Sequence, residues 1–253
     1  MLLNKSNNTQ MMYDFDRSVD EIVKADYRAA DVFKKHMINY CCTGQVSLQA
    51  VCMEKNIDIN QVRNDLELAT RDVRIPNDLP YGEWKLEFLI DYIIYIHHDY
   101  IYRILPNLGP SLMTFASGHS KKYPEVQQVS VVFEKLSAIL LLHNRHEDEI
   151  IFPYIKQIDS AFRRKEPYGN LFVRTLRKPL SIAEKDHLQI LDLLTELKQL
   201  TNHFTVPEKA CTNYQVLYHK LEEFHDNLLQ HKFLENNILF PRAIAVEQQL
   251  LQK

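Results

Sequence analysis

Apolar residues recur three to four positions apart along most of the chain, and strand-like alternation is scarce, the period of a helix with one buried face. Residues from about 17 to 72 read as several short helices. DEIVKADYRAADVFKKHMI forms the first, VSLQAVCMEKN after CCTG the second, and INQVRNDLELAT the third, N-capped by Asp58 or Asn60. RIPNDLPYGEW then gathers two prolines, a glycine and an Asn-Asp pair, a linker signal that puts a boundary at about 73–82. Two domains are expected, a small helical one over 1–75 and a larger one over 83–253.

Beyond the boundary the helices lengthen. The first opens at about Glu83 with KLEFLIDYIIYIHHDYIYRIL, should be kinked by Pro106 and Pro110, and stops near Ser117-Gly118. The second starts near Pro124 and runs through VSVVFEKLSAILLLHNRHEDEIIFPYI. The third starts near Pro179 with SIAEKDHLQILDLLTELKQL, and the fourth starts between Pro207 and Thr212 and continues past Pro241. Pro153 and Pro241 should kink or end their helices. Four long amphipathic helices joined by loops predict an all-α, up-down-up-down four-helix bundle preceded by the small helical domain.

Composition supports this reading. Glycine accounts for 5 of 253 residues, about 2% against a usual ~7%. The net charge of −3, without a long basic run, gives no reason to expect nucleic acid or an anionic membrane surface as partner. MLLNKSNNTQMMYDFDRSVDE is too polar and acidic for a signal peptide, and no apolar run approaches the ~18 residues of a membrane span. Cys41, Cys42, Cys52 and Cys211 make no secreted disulfide framework. A cytoplasmic, soluble protein is expected.

The candidate chemistry lies in four histidines, His98, His143, His187 and His231, spaced by 45, 44 and 44 residues. Two of them open near-copies of one motif, HNRHEDEIIFP from His143 and HKFLENNILFP from His231. Each copy holds a His-x-x-x-Glu pair, His143/Glu147 and His231/Glu235, which a helix places on one face about a turn apart. The midpoints between successive histidines fall at 120–121, 165 and 209, all in turn-like sequence, so antiparallel helices can bring the four to one depth. The middle connection, roughly 159–178, holds extra sequence, and its spacing says less than the other two. His119 lies 21 residues after His98, roughly 31 Å along a continuous helix. It can join the site only if Pro106–Pro110 breaks that helix severely. His97, His146, His203, His219 and His225 lack such support and read as solvated or capping residues.

For one histidine on an apolar face, core packing is the ordinary reading. Two carboxylates buried beside four imidazoles would instead form a costly polar cluster without a cation. Structural zinc needs four ligands and favours cysteine, whereas six ligands with two carboxylates able to bridge fit two metals, and the mixed set suits iron.

On these residues the larger domain resembles a hemerythrin-like domain. NYCCTGQVSLQAVC resembles the short domain of iron-sulfur cluster repair proteins (the repair-of-iron-centres, or ScdA, family), and PEKACTNY with HKFLENNILFPRA is similar to the same family. The resemblance implies two non-haem iron ions, oxo- or hydroxo-bridged, with His98, His143, Glu147, His187, His231 and Glu235 as ligands and the two Glu bridging. It implies a role in repairing iron-sulfur clusters damaged by nitrosative or oxidative stress, by supplying iron. The alternative is a nitric oxide-reducing, or nitric oxide- or dioxygen-binding, hemerythrin-like protein. Partners would be damaged iron-sulfur proteins and the small ligands nitric oxide or dioxygen; a homodimer is left open. Cys41-Cys42 is followed by Thr43-Gly44 where the family commonly has Gly-Gly. The pair precedes a helix starting near Ser47, with Thr43 or Ser47 as cap, where a thiol can gain reactivity. Cys41 and Cys42 are thus candidates for handling iron, nitric oxide or a redox partner, core packing being the other reading. For Cys52 and Cys211 core packing is preferred.

Overall fold

The computed structural model describes residues 15–41, 46–71, 79–166, 173 and 177–252, with the backbone alone for 177–185. Every named element among them is helical. Contacts divide the chain into two units, Met1–Pro76 with Thr205–Lys220, and Asn77–Phe204 with Leu221–Lys253.

In the first unit, α1 spans Val19–Ala25, α2 Ala29–Lys35, α3 Leu48–Glu54 and α4 Ile59–Ala69. Ser18 and Glu21 form a reciprocal capping box at α1, Ser47 caps α3 by accepting from the Ala50 N–H, and Asp58 caps α4 by accepting from the Asn60 N–H. The stretch that reads as one helix from Asp20 to Ile38 is two. At Asp26 the backbone is extended (φ −148, ψ 110), and its carboxylate accepts from the Arg28 backbone N–H at 2.9 Å and from the Arg28 guanidinium. This local hydrogen bonding competes with helix continuation. Helices of about two turns are marginal alone; these are held by a core that includes Ile22, Phe33, Leu48, Cys52 and Leu66. Val216 is buried in the same core, Thr212 hydrogen-bonds Asp20, and Lys220 pairs with Asp31, which is why 205–220 belongs to this unit.

The second unit is a four-helix bundle. Helix α5 consists of Leu86–Tyr92, a π-helical stretch Ile93–His98, and Asp99–His119. Helix α6 consists of Glu125–His146, a π stretch Glu147–Ile151, and Phe152–Arg164; α7 is Arg177–Leu200. Helix α8 consists of Thr212–Leu234, a π stretch Glu235–Leu239, and Phe240–Leu251, of which Leu221 onward packs in this unit. Helix α6 packs against both α5 and α7, and its last stretch lies against the last stretch of α8. Leu89, Ile90, Ile93, Ile155, Ile158, Leu234 and Leu239 are at most 1% exposed and share one apolar cluster.

The prolines do not end these helices. Pro106 and Pro110 lie inside α5, which continues to His119. Pro153 and Pro241 stand in the first turn of the α-helical stretches that follow the two later π turns. A π turn shifts the hydrogen-bond ladder by one residue, and a following first-turn proline lacks an N–H where none is needed. Helix α7 begins at Arg177, two residues ahead of Pro179, and α5 at Leu86 rather than Glu83. Helix α6 runs on to Arg164, where Lys165 takes a left-handed cap (φ 54). Much of the linker (72–78) and of the middle connection (167–172 and 174–176) lies outside the described residues. Among those described, one helix, Glu125–Arg164, is long and apolar enough to cross a membrane by length and composition. Its buried residues include Val126, Val129, Phe133, Leu136 and Leu140, and also His143 and Glu147.

Candidate metal centre

All three π-helical stretches carry residues of one buried polar cluster: His98 ends the first, Glu147 opens the second and Glu235 the third. The wider turn lets a helix redirect a side chain without breaking, and π turns collect at functional sites for that reason. The six residues named from the spacing, His98, His143, Glu147, His187, His231 and Glu235, are brought together, each at most 2% exposed.

They form two overlapping sets of four, His98/Glu147/His231/Glu235 and His143/Glu147/His187/Glu235, with donor atoms in each set within 4.8 Å of one another. The imidazoles turn their Nε2 atoms inward, His98 to His231 at 2.9 Å and His143 to His187 at 3.0 Å. Each carboxylate offers one oxygen to each set. Glu147 Oε2 lies 3.4 Å from His98, and its Oε1 lies 3.1 Å from His143 and 3.4 Å from His187. Glu235 Oε1 lies 2.7 Å from His231, and its Oε2 lies 3.4 Å from His187. Donors about 2.1 Å from a common ion at right angles stand about 3 Å apart, so both sets have the dimensions of a first coordination sphere. Glu147 Oε2 is buried with no hydrogen-bond partner, and a buried carboxylate oxygen without a donor calls for a cation. The donor chemistry, imidazole and carboxylate without thiolate, fits iron.

The electrostatics of the two carboxylates and of His231 fit such a site. Burial alone would raise the Glu147 carboxyl, but Lys232 and His143 outweigh it and hold it well below the usual carboxylate range. For Glu235, burial and the nearby Glu147 act upward, while His231 and Lys232 prevail and keep it well below that range as well. Burial lowers His231 to about 3, so its ring is neutral, as that of a ligating histidine must be. Burial acts the same way on His98, but its hydrogen bond to Asp148 and the buried Glu147 and Glu235 carboxylates beside it overcome this and hold that ring well above the ordinary value.

Around the cluster the duplicated motif repeats further roles. The residue after each Glu reaches a histidine on a different helix: Asp148 Oδ1 faces His98 Nδ1 at 2.8 Å, and Asn236 Oδ1 faces His187 Nδ1 at 2.6 Å. Such partners set the tautomer and orientation of a ligating ring. The shared Phe stacks on the same two rings, Phe152 on His98 at 5.4 Å and Phe240 on His187 at 5.8 Å. Sequence reasoning missed Asp148 and Asn236. Their common offset in the two copies is a signal that could have found them. It also missed Lys232, a lysine 2% exposed whose amine lies inside the cluster.

Other candidates fall elsewhere. His119 ends α5 unbroken, its ring stacked on Phe115 at 4.1 Å, and belongs to neither donor set. His97 is not solvated: it is fully buried, its Nδ1 is 3.2 Å from Asn227 Oδ1, and its ring stacks on His231 at 5.5 Å. His225 is likewise buried, beside Phe204. His146 is half-buried, while His203 and His219 are exposed. Cys41 is buried in the first unit, where its backbone N–H donates to Asn39 Oδ1; Cys42 lies outside the described residues. Cys52 is a core residue and Cys211 is half-buried.

Comparison with known proteins matches residues 89–243 to the hemerythrin HHE cation-binding domain. Residues 15–70 match ScdA_N, a domain of unknown function. The iron-sulfur cluster repair protein YtfE of Enterobacter sp. (strain 638) is 30% identical over 233 residues, covering 92% of this chain and 98% of that protein. The protein of the same name from Escherichia coli O81 (strain ED1a) is 30% identical over 232 residues, with the same coverage.

Proposed function

Because the chain belongs to the hemerythrin HHE cation-binding family and is similar over 92% of its length to iron-sulfur cluster repair proteins, we propose that it repairs iron-sulfur clusters damaged by nitrosative or oxidative stress, by supplying iron to them. The observation that carries this reading is the division of each carboxylate between two buried His/Glu donor sets. Two irons per chain fit that arrangement, with His98 and His231 holding one, His143 and His187 the other, and Glu147 and Glu235 bridging. When bound, iron supplies a deliverable ion and a centre able to take nitric oxide or dioxygen. Asp148 and Asn236 orient His98 and His187, and Phe152 and Phe240 keep water off the same rings. Cys41 and Cys42 are proposed for handling iron, nitric oxide or a redox partner.

Anaerobic titration of the full chain with ferrous iron tests the site. Saturation near two equivalents is expected, with loss of one equivalent in His98→Ala and of both in Glu147→Ala. Mixing the loaded protein with an apo iron-sulfur protein should then rebuild the cluster. A full chain that takes up no iron, or that fails to pass it on, would overturn the reading.

A further inference from the structure

The two donor sets are related by the repeated motif, yet the structure treats them differently. The second position of the motif is Asn144 in one copy and Lys232 in the other. Asn144 is fully buried, with neither amide atom hydrogen-bonded. Lys232 extends into the centre, where its Nζ lies 2.7 Å from His143 Nε2, 3.0 Å from His187 Nε2 and 2.8 Å from Glu235 Oε2. These atoms belong to three of the four residues of the His143/Glu147/His187/Glu235 set. The amine therefore stands in the volume that an ion bound there would use, and it engages the same lone pairs. In the His98/Glu147/His231/Glu235 set the atoms turned to the centre lie 2.7–3.9 Å from one another, with no amine among them in the described residues.

A lysine amine and a metal ion cannot fill one volume or share the same donor atoms. A metal entering the His143/His187 position must displace the Lys232 side chain, while one entering the His98/His231 position meets no such competitor. We propose that Lys232 makes the two metal positions unequal. The His98/His231 position loads first and retains its ion; the His143/His187 position loads second, in competition with Lys232, and releases its ion first. This rests on the two-set reading above and assigns the deliverable iron to one of the sets.

The test is a ferrous iron titration of the full-length apo protein under anaerobic conditions against a competing chelator, followed by chelator-driven release. Two classes of equivalent are expected, the second weaker by about tenfold or more, with biphasic release. In Lys232→Met, which keeps length and removes charge and donors, the weak class should tighten towards the strong one and release should become nearly monophasic. Lys232→Gln serves as the second variant, and circular dichroism confirms that each is folded. His187→Ala should abolish the weak class and leave the tight one. Equal affinities in the unaltered protein, an unchanged gap in folded Lys232 variants, or loss of the tight class in His187→Ala would each overturn the assignment. A chain that binds no iron overturns the two-set reading instead, so the two failures are distinct.

Discussion

Replacing Asp148 by alanine should weaken metal binding at the centre about tenfold without unfolding the apo protein. The carboxylate stands on α6 just after Glu147 and accepts from His98 Nδ1 on α5 at 2.8 Å; His98 is fully buried and the Asp148 side chain is 25% exposed. A hydrogen bond to a charged group contributes about 1.5–3 kcal/mol, and the exposure of Asp148 places this one near the lower figure. About 1.5 kcal/mol is about tenfold in affinity, at the foot of the about 10–100-fold loss usual when the outer partner of a ligating histidine is removed. Tyr102 also loses its acceptor, Asp148 Oδ2 at 2.9 Å, but is 37% exposed and can turn to water. Asp148→Asn keeps an acceptor at the same place without the charge, and neutral hydrogen bonds are about half as strong, so its loss should be about threefold. Competition titration with ferrous iron reads both variants, and thermal melting of the apo proteins controls for folding. If Asp148→Ala binds iron within about twofold of the unaltered protein, the orienting role is wrong.

Metal content should separate His119→Ala, which keeps its full complement because that ring stacks on Phe115 outside both donor sets, from Glu235→Ala, which should lose both ions because one carboxylate serves both sets. Ser18→Ala removes the α1 capping box and should cost about 1 kcal/mol, read as an earlier urea transition of the first unit. Asp65 is held below its ordinary carboxyl value of 3.8 by hydrogen bonds from Lys35 and then His36. A lowered folded value means that its contribution is present above pH 3.8 and lost as pH falls through the folded value. The stability difference between the unaltered protein and Asp65→Asn should therefore shrink in acid melts; a constant difference from neutral pH down to strong acid would refute the pairing.

The helical fold was readable because its signals are local. Apolar residues three and four apart, Ser47 and Asp58 at helix starts, and the paucity of glycine all act within a few residues along the chain. The repeated His-x-x-x-Glu pairs were readable for the same reason, since one helical turn sets their geometry, and the spacing of the turns then matched the depths of His98 and His187. The break at Asp26 escaped that reading because a single carboxylate satisfied the Arg28 N–H locally and outweighed a helical apolar pattern. Pro153 and Pro241 were expected to kink or end their helices; they do not end them, because a π turn ahead of each absorbs the missing donor.

From its sequence alone, then, this chain determines its helices, their caps and a set of four histidines and two glutamates that antiparallel helices can bring to one depth. Only the tertiary structure decided which histidine each outer carboxylate or amide holds, that residues 205–220 pack with the first unit, and that Lys232 rather than Asn144 reaches the inner donors. Each of these depends on which distant side chains meet at a given depth and how far each one reaches. Helical periodicity fixes the face a residue occupies and leaves those meetings to packing.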